Sequence, residues 1–104
     1  MRYSRGGIVL VLFPNSDLRT AKRRPALVVQ ADRLETGLPQ VIVAMISSNL
    51  ARADRAFVES GLLTDSVIMT DNLATILETE IDRAIGRLTE RERVDAAIRH
   101  TLGL

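Results

Sequence analysis

The sequence predicts a mainly β domain closed by one C-terminal helix, and three observations predict it. Short apolar runs, several of them β-branched, recur up to Leu88, each bounded by turn residues. Little helical pattern separates them, which favours an antiparallel sheet or small barrel over a doubly wound fold. Beyond Thr89 the apolar residues switch to helical spacing, as expected for a single terminal helix.

Gly7 to Phe13 is short and apolar, stopped at once by Pro14-Asn15-Ser16-Asp17, and reads as a buried strand. Asn15 to Arg24 is expected to be a polar loop, long for so small a domain and therefore a candidate for function. A second strand is expected over Ala26 to Ala31, with Pro25 as the residue that starts it, because proline lacks an N–H and suits a strand's first position. Asp32 to Gln40, with Gly37 and Pro39, leads to a third strand over Val41 to Ile46, ended by Ser47-Ser48-Asn49. Ala56 to Glu59 fits a short edge strand. Ser66 to Met69 and Leu73 to Leu77 are expected as strand segments interrupted at Asp71-Asn72, and a β-bulge there is one reading. A single helical turn fits Glu78 to Asp82, followed by Arg83 to Leu88. In the terminal helix Thr89 and Glu92 form a capping-box signature, Val94, Ala97, Ile98, Thr101 and Leu102 make a narrow apolar stripe, and Gly103 ends it.

The chain reads as a single domain spanning residues 1–104, with 46% apolar and 26% charged residues, the balance of a globular protein. Cysteine is absent, which excludes disulfides, thiol catalysis and cysteine metal sites; one histidine leaves no His–His acid/base pair within the subunit. His100 falls off the apolar stripe and is expected to face solvent. The apolar run Ile8 to Phe13 is too short for a signal sequence, and nothing approaches the roughly 18–20 residues of a membrane span, so a cytoplasmic protein is expected.

Net charge is only +1, but its distribution is uneven. From Asn15 to Arg24, four cations (Arg19, Lys22, Arg23, Arg24) stand against Asp17, a local balance of +3. Such a patch on a near-neutral domain suits a small phosphate-binding face. Arg24 is held extended by the proline after it, and a guanidinium fixed in direction grips a phosphate oxygen pair bidentately. An aromatic content of 3% argues against a base-stacking platform.

Four features then stand in a fixed order. They are Arg5-Gly6-Gly7-Ile8-Val9-Leu10-Val11 with Phe13-Pro14, the Lys-Arg-Arg-Pro strand, Val41 to Ser48, and Asp65-Ser66-Val67-Ile68 with a polar pair after it. Ile85-Gly86-Arg87-Leu88-Thr89 follows before the helix. This order resembles the MazF/PemK family of toxin endoribonucleases from type II toxin–antitoxin systems, over nearly the whole chain. The resemblance implies a compact SH3-like β-barrel of the MazF/PemK/CcdB type, a homodimer, a cognate antitoxin, and metal-independent cleavage of single-stranded RNA with no cofactor. It implies catalytic roles for Arg24 and Ser47, with Asp17 as the acidic residue of the preceding loop. Ser47 stands where the family more often has Thr, a change that keeps the hydroxyl. Where many members carry Gln and, two residues on, Arg or Lys, this chain has Asn72 and Ala74, so a cation is lost and an amide shortened. Arg19, Lys22, Arg23, Ser48 and Asn72 are expected to bind RNA. Two other readings are a non-catalytic member that only binds antitoxin or RNA, and a CcdB-like inhibitor of DNA gyrase; the C-terminal tail has none of the aromatic residues the latter would use.

Overall fold

The computed structural model describes residues 3–14, 19, 21–34, 37–47, 57–58, 66–88 and 91–104. Six strands, β1 (Gly7–Pro14), β2 (Ala21–Val28), β3 (Gln40–Ser47), β4 (Phe57–Val58), β5 (Ser66–Leu77) and β6 (Ile81–Arg87), form one antiparallel sheet in the order β4-β5-β3-β2-β1-β6. Helix α1 (Arg91–Leu102) follows. The expected mainly β fold with a C-terminal helix is the one observed.

The sheet is curled. β5 and β6 lie on opposite sides of the sheet order, four inter-strand spacings apart, which in a flat sheet would be about 19 Å. Yet only the 3₁₀ turn Glu78–Glu80 joins them, and four Cα steps span at most about 14 Å. Met69 and Ile76 of β5 share one core cluster with Ile81 of β6 and with Val9, Val11, Val28, Val41 and Val43. The sheet therefore rolls round this cluster. Its outer face carries a second cluster, Ile8, Leu27, Ala44, Ile46 and Ile68, which α1 covers with Val94. Because both faces are covered, β1 and β3 read as continuous apolar runs rather than alternating ones.

Several strand boundaries differ from the sequence-based expectation. β2 begins at Ala21, so Lys22 to Arg24 lie on a strand and not in the loop, and it ends at Val28 rather than Ala31. Pro25 sits inside β2, opposite Leu10, and does not start it. The sheet tolerates it for a simple reason. Val28 turns its carbonyl to Gly6 and Val29 its N–H to Ile42, so by alternation the nitrogen of Pro25 faces the β3 side. There the ladder begins only at Ala26, and no hydrogen bond is lost. The early end of β2 is set by Gln30. Its buried side chain accepts from the Ile42 N–H (3.0 Å) and donates to the Leu34 carbonyl (3.3 Å), replacing ladder bonds. β5 runs through Asp71-Asn72 as one strand with an irregularity, and β6 starts at Ile81 rather than Arg83.

Thr89 lies outside the described residues, so the expected N-cap is not seen. The C-terminus of α1 is as expected: Gly103 adopts φ 72°, its N–H reaches the His100 carbonyl (3.3 Å) and that of Leu104 the Arg99 carbonyl (2.8 Å). These are the paired bonds of a Schellman cap. Gly6 is the other glycine whose conformation matters. At φ 92° it donates to the Val28 carbonyl (2.9 Å) and accepts from Leu88 (2.8 Å), stitching β2 to the entry of α1. A Cβ there would meet Arg91 Cδ at 2.9 Å. Gly6→Ala is expected to lower unfolding free energy by more than about 1 kcal/mol, read from the urea midpoint at unchanged slope.

Candidate nucleic-acid interface

Side chains alternate along a strand, so β2 deals its cations to both faces. Lys22 and Arg24 share the face of Ala26 and Val28, while Arg23 points to the other. All three are exposed. Arg24 stands opposite Val11, whose side chain is fully buried, so the guanidinium rises from the rim where the inner core meets solvent. Arg23 pairs with Asp82 at the start of β6, Nε to Oδ2 at 3.2 Å. Part of its charge is thereby answered within the domain.

Ser47 ends β3, half-buried, opposite Val67 of β5. The β2–β3 ladder pairs Ala26 with Met45, Leu27 with Ala44 and Val28 with Val43. Arg24 and Ser47 each lie two residues past the end of that ladder, and by alternation both take the inner-core face. Two residues well apart in sequence are brought to neighbouring strands because β2 and β3 are antiparallel neighbours joined near Gln30. Sequence spacing alone carries no such proximity.

Arg19 is exposed, as is Asn72, which lies on the other flank of β3 at the irregularity of β5. Asp17 and Ser48 lie outside the described residues. His100 is exposed on α1. Among the described residues, no group of three His, Asp or Glu side chains is placed to hold a metal ion, and no helix is long and apolar enough to cross a membrane.

Arg5 was legible in the sequence only as the start of a motif. In the fold it is a clamp: its backbone N–H donates to Asp32 Oδ1 (2.6 Å), Nη1 to the Val29 carbonyl (2.5 Å) and Nη2 to Asp95 of α1. It closes one end of a cleft of about 400 Å³ floored by Val29, Ile42 and Leu73 and roofed by Ile98 and Leu102. This cleft sits toward the opposite end of β3 from Ser47, away from the cationic rim.

A curled antiparallel sheet with a single terminal helix and cations along one rim is a small β-domain whose electrostatics favour an anionic partner. The model of the PemK-like, MazF-like toxins of type II toxin–antitoxin systems matches residues 4–102, and the chain belongs to that family. The endoribonuclease MazF6 of Mycobacterium tuberculosis is 33% identical over 102 residues, covering 89% of this chain and 90% of the relative. The solved structure of the Mycobacterium tuberculosis toxin MazF-mt6 superposes with a TM-score of 0.73 at 26% identity, over 92% of this chain and 97% of that one. A mycobacterial endoribonuclease solved in complex with its cognate antitoxin shares the fold, with a TM-score of 0.73 at 19% identity over 98% and 94% of the two chains.

Proposed function

We propose that this chain is a toxin endoribonuclease that cleaves single-stranded RNA without a metal ion and is neutralised by a cognate antitoxin. The observation that carries the reading is that Arg24 and Ser47 lie at adjoining ends of neighbouring strands at the rim, just past the β2–β3 ladder, in a chain of the MazF-like family. In this reaction the ribose 2′-oxygen attacks the adjacent phosphorus and loses its proton. The bond from phosphorus to the 5′-oxygen breaks, and that oxygen takes up a proton. The products are a 2′,3′-cyclic phosphate and a 5′-hydroxyl. The nucleophile is part of the substrate, so proximity is largely supplied by the RNA. Arg24 answers the charge that builds on the phosphoryl oxygens and serves as a cationic clamp rather than a base. Ser47 donates a hydrogen bond to the phosphate or orients the 2′-hydroxyl. Asp17 takes its place from the family resemblance, as the acidic residue beside the reacting proton.

Arg19, Lys22 and Arg23 hold the RNA backbone, with Ser48 and Asn72 at its bases or sugars. The working form is a homodimer acting in the cytoplasm, and the consequence of cleavage is growth arrest. The test is digestion of a long single-stranded RNA by purified protein in EDTA, with product ends mapped. Discrete cuts bearing cyclic-phosphate and 5′-hydroxyl ends support the reading; intact RNA with folded protein sinks it.

The Arg23–Asp82 pair gives a separate check. Asp82→Asn releases Arg23 to a phosphate, so RNA binding is expected to tighten at low salt. The slope of log affinity against log salt should steepen by about 0.7. Stability is expected to change by no more than about 1 kcal/mol, since the pair is exposed to solvent. Filter binding at a series of salt concentrations measures it.

A further inference from the structure

The ladder between β3 and β5 breaks at one point. Ala44 pairs with Leu73, but the next residue, Met45, pairs with Met69. The register thus skips Thr70, Asp71 and Asn72 on β5, a bulge of three residues. Asp71 and Asn72 are exposed, whereas Thr70 is 4% exposed. The bulge stands abreast of Met45, two residues from Ser47, about 7 Å along the strand.

What holds the bulge is the last turn of α1. Thr70 Oγ1 lies 3.2 Å from Thr101 Oγ1, and Thr101 Oγ1 donates to the Ala97 carbonyl at 2.9 Å. The Thr101 proton is therefore spent within the helix, and Thr101 accepts from Thr70. The helix is a firm reference: Val94 is buried in the outer core, Asp95 is gripped by Arg5, and Gly103 closes the C-terminus. A hydroxyl pair thus ties two exposed polar residues beside the candidate site to a packed element. Asp71 offers acceptors and Asn72 both donors and acceptors, the chemistry that reads the edges of unstacked bases in single-stranded RNA.

We propose that Thr70 and Thr101 are positioning residues for base selection: through their hydroxyl pair, α1 sets where the bulge holds Asp71 and Asn72 against the RNA. The inference rests on the endoribonuclease reading above and adds to it the element that chooses the sequence.

A random single-stranded RNA library tests it, digested by wild type, Thr70→Val, Thr70→Ser, Thr101→Val and Asn72→Ala, with each variant's melting curve recorded. Thr70→Val is expected to lose at least about fivefold in discrimination at one nucleotide position, the same position that Asn72→Ala loosens. Thr70→Ser keeps the donor and is expected to keep the wild-type profile. Thr101→Val changes the exposed partner, so it reads the same effect if Thr70→Val fails to fold. An unchanged profile in both valine variants, or a rate that falls equally on all sequences, overturns the inference. If the wild type cuts nothing, the cleavage reading fails. The RNAs retained by binding are then sequenced instead, and identical retained sets for wild type and the valine variants overturn the positioning role by itself.

Discussion

Arg24→Ala is expected to reduce RNA cleavage by about 10²–10³ in rate while leaving the melting temperature nearly unchanged. The two halves of that result come from one geometry. Arg24 is exposed at the rim, outside both core clusters, so its removal opens no cavity. On the proposed reading, its place at the rim next to the end of β3 makes it the donor for the scissile phosphate. Arg24→Lys restores the charge but not the fork of donors, and is expected to recover only a small part of the rate. Single-turnover cleavage of a short RNA at saturating protein separates the chemical step from binding. A loss confined to affinity, with the saturated rate intact, would move Arg24 into the group that merely holds the backbone.

Leu27→Ala has the largest expected effect on stability, a loss of about 2–5 kcal/mol. Leu27 is 1% exposed and packs in the outer cluster with Ile8, Ala44, Ile46, Ile68 and Val94, where sheet and helix meet. For a domain of this size the melting temperature is expected to fall by about 10 °C or more. Leu104→Ala, at an 85% exposed position, serves as the comparison and should stay within about 0.5 kcal/mol of wild type. Urea denaturation with equal slopes for the two variants checks that the native state, and not the unfolded ensemble, carries the difference.

The elements of the fold were legible because their signals are local. A β-branched run such as Val41 to Ile46 can hardly be anything but a buried strand. The change of period after Thr89 announces the helix, and Gly103 announces its end. Pro25 misled for an equally physical reason. The rule that proline starts a strand assumes ladders on both sides, and here the β3 ladder does not reach it. That single fact moved three cations from a loop onto a strand and, through the alternation of side chains, sent Arg23 to Asp82 and away from Lys22 and Arg24.

The candidate site was legible as residue types and through family resemblance, not as an arrangement. Nothing in the spacing of Arg24 and Ser47 says that they lie on neighbouring strands. The clamp made by Arg5 was hidden for the same cause, since its partners come from two distant segments, Val29 and Asp32 just after β2 and Asp95 on α1.

By itself, then, the sequence determined the fold class, the terminal helix and its cap, the basic patch and the membership of a toxin family, all carried by local periodicity, turn chemistry and ordered motifs. Only the tertiary structure decided the curl of the sheet, the strand order that brings Arg24 and Ser47 to neighbouring strand ends, the bulge at Thr70 to Asn72 and its tie to Thr101. Strand register and bulges are settled by how many apolar side chains two covered faces can bury at once. That is a property of the assembled sheet rather than of any one segment.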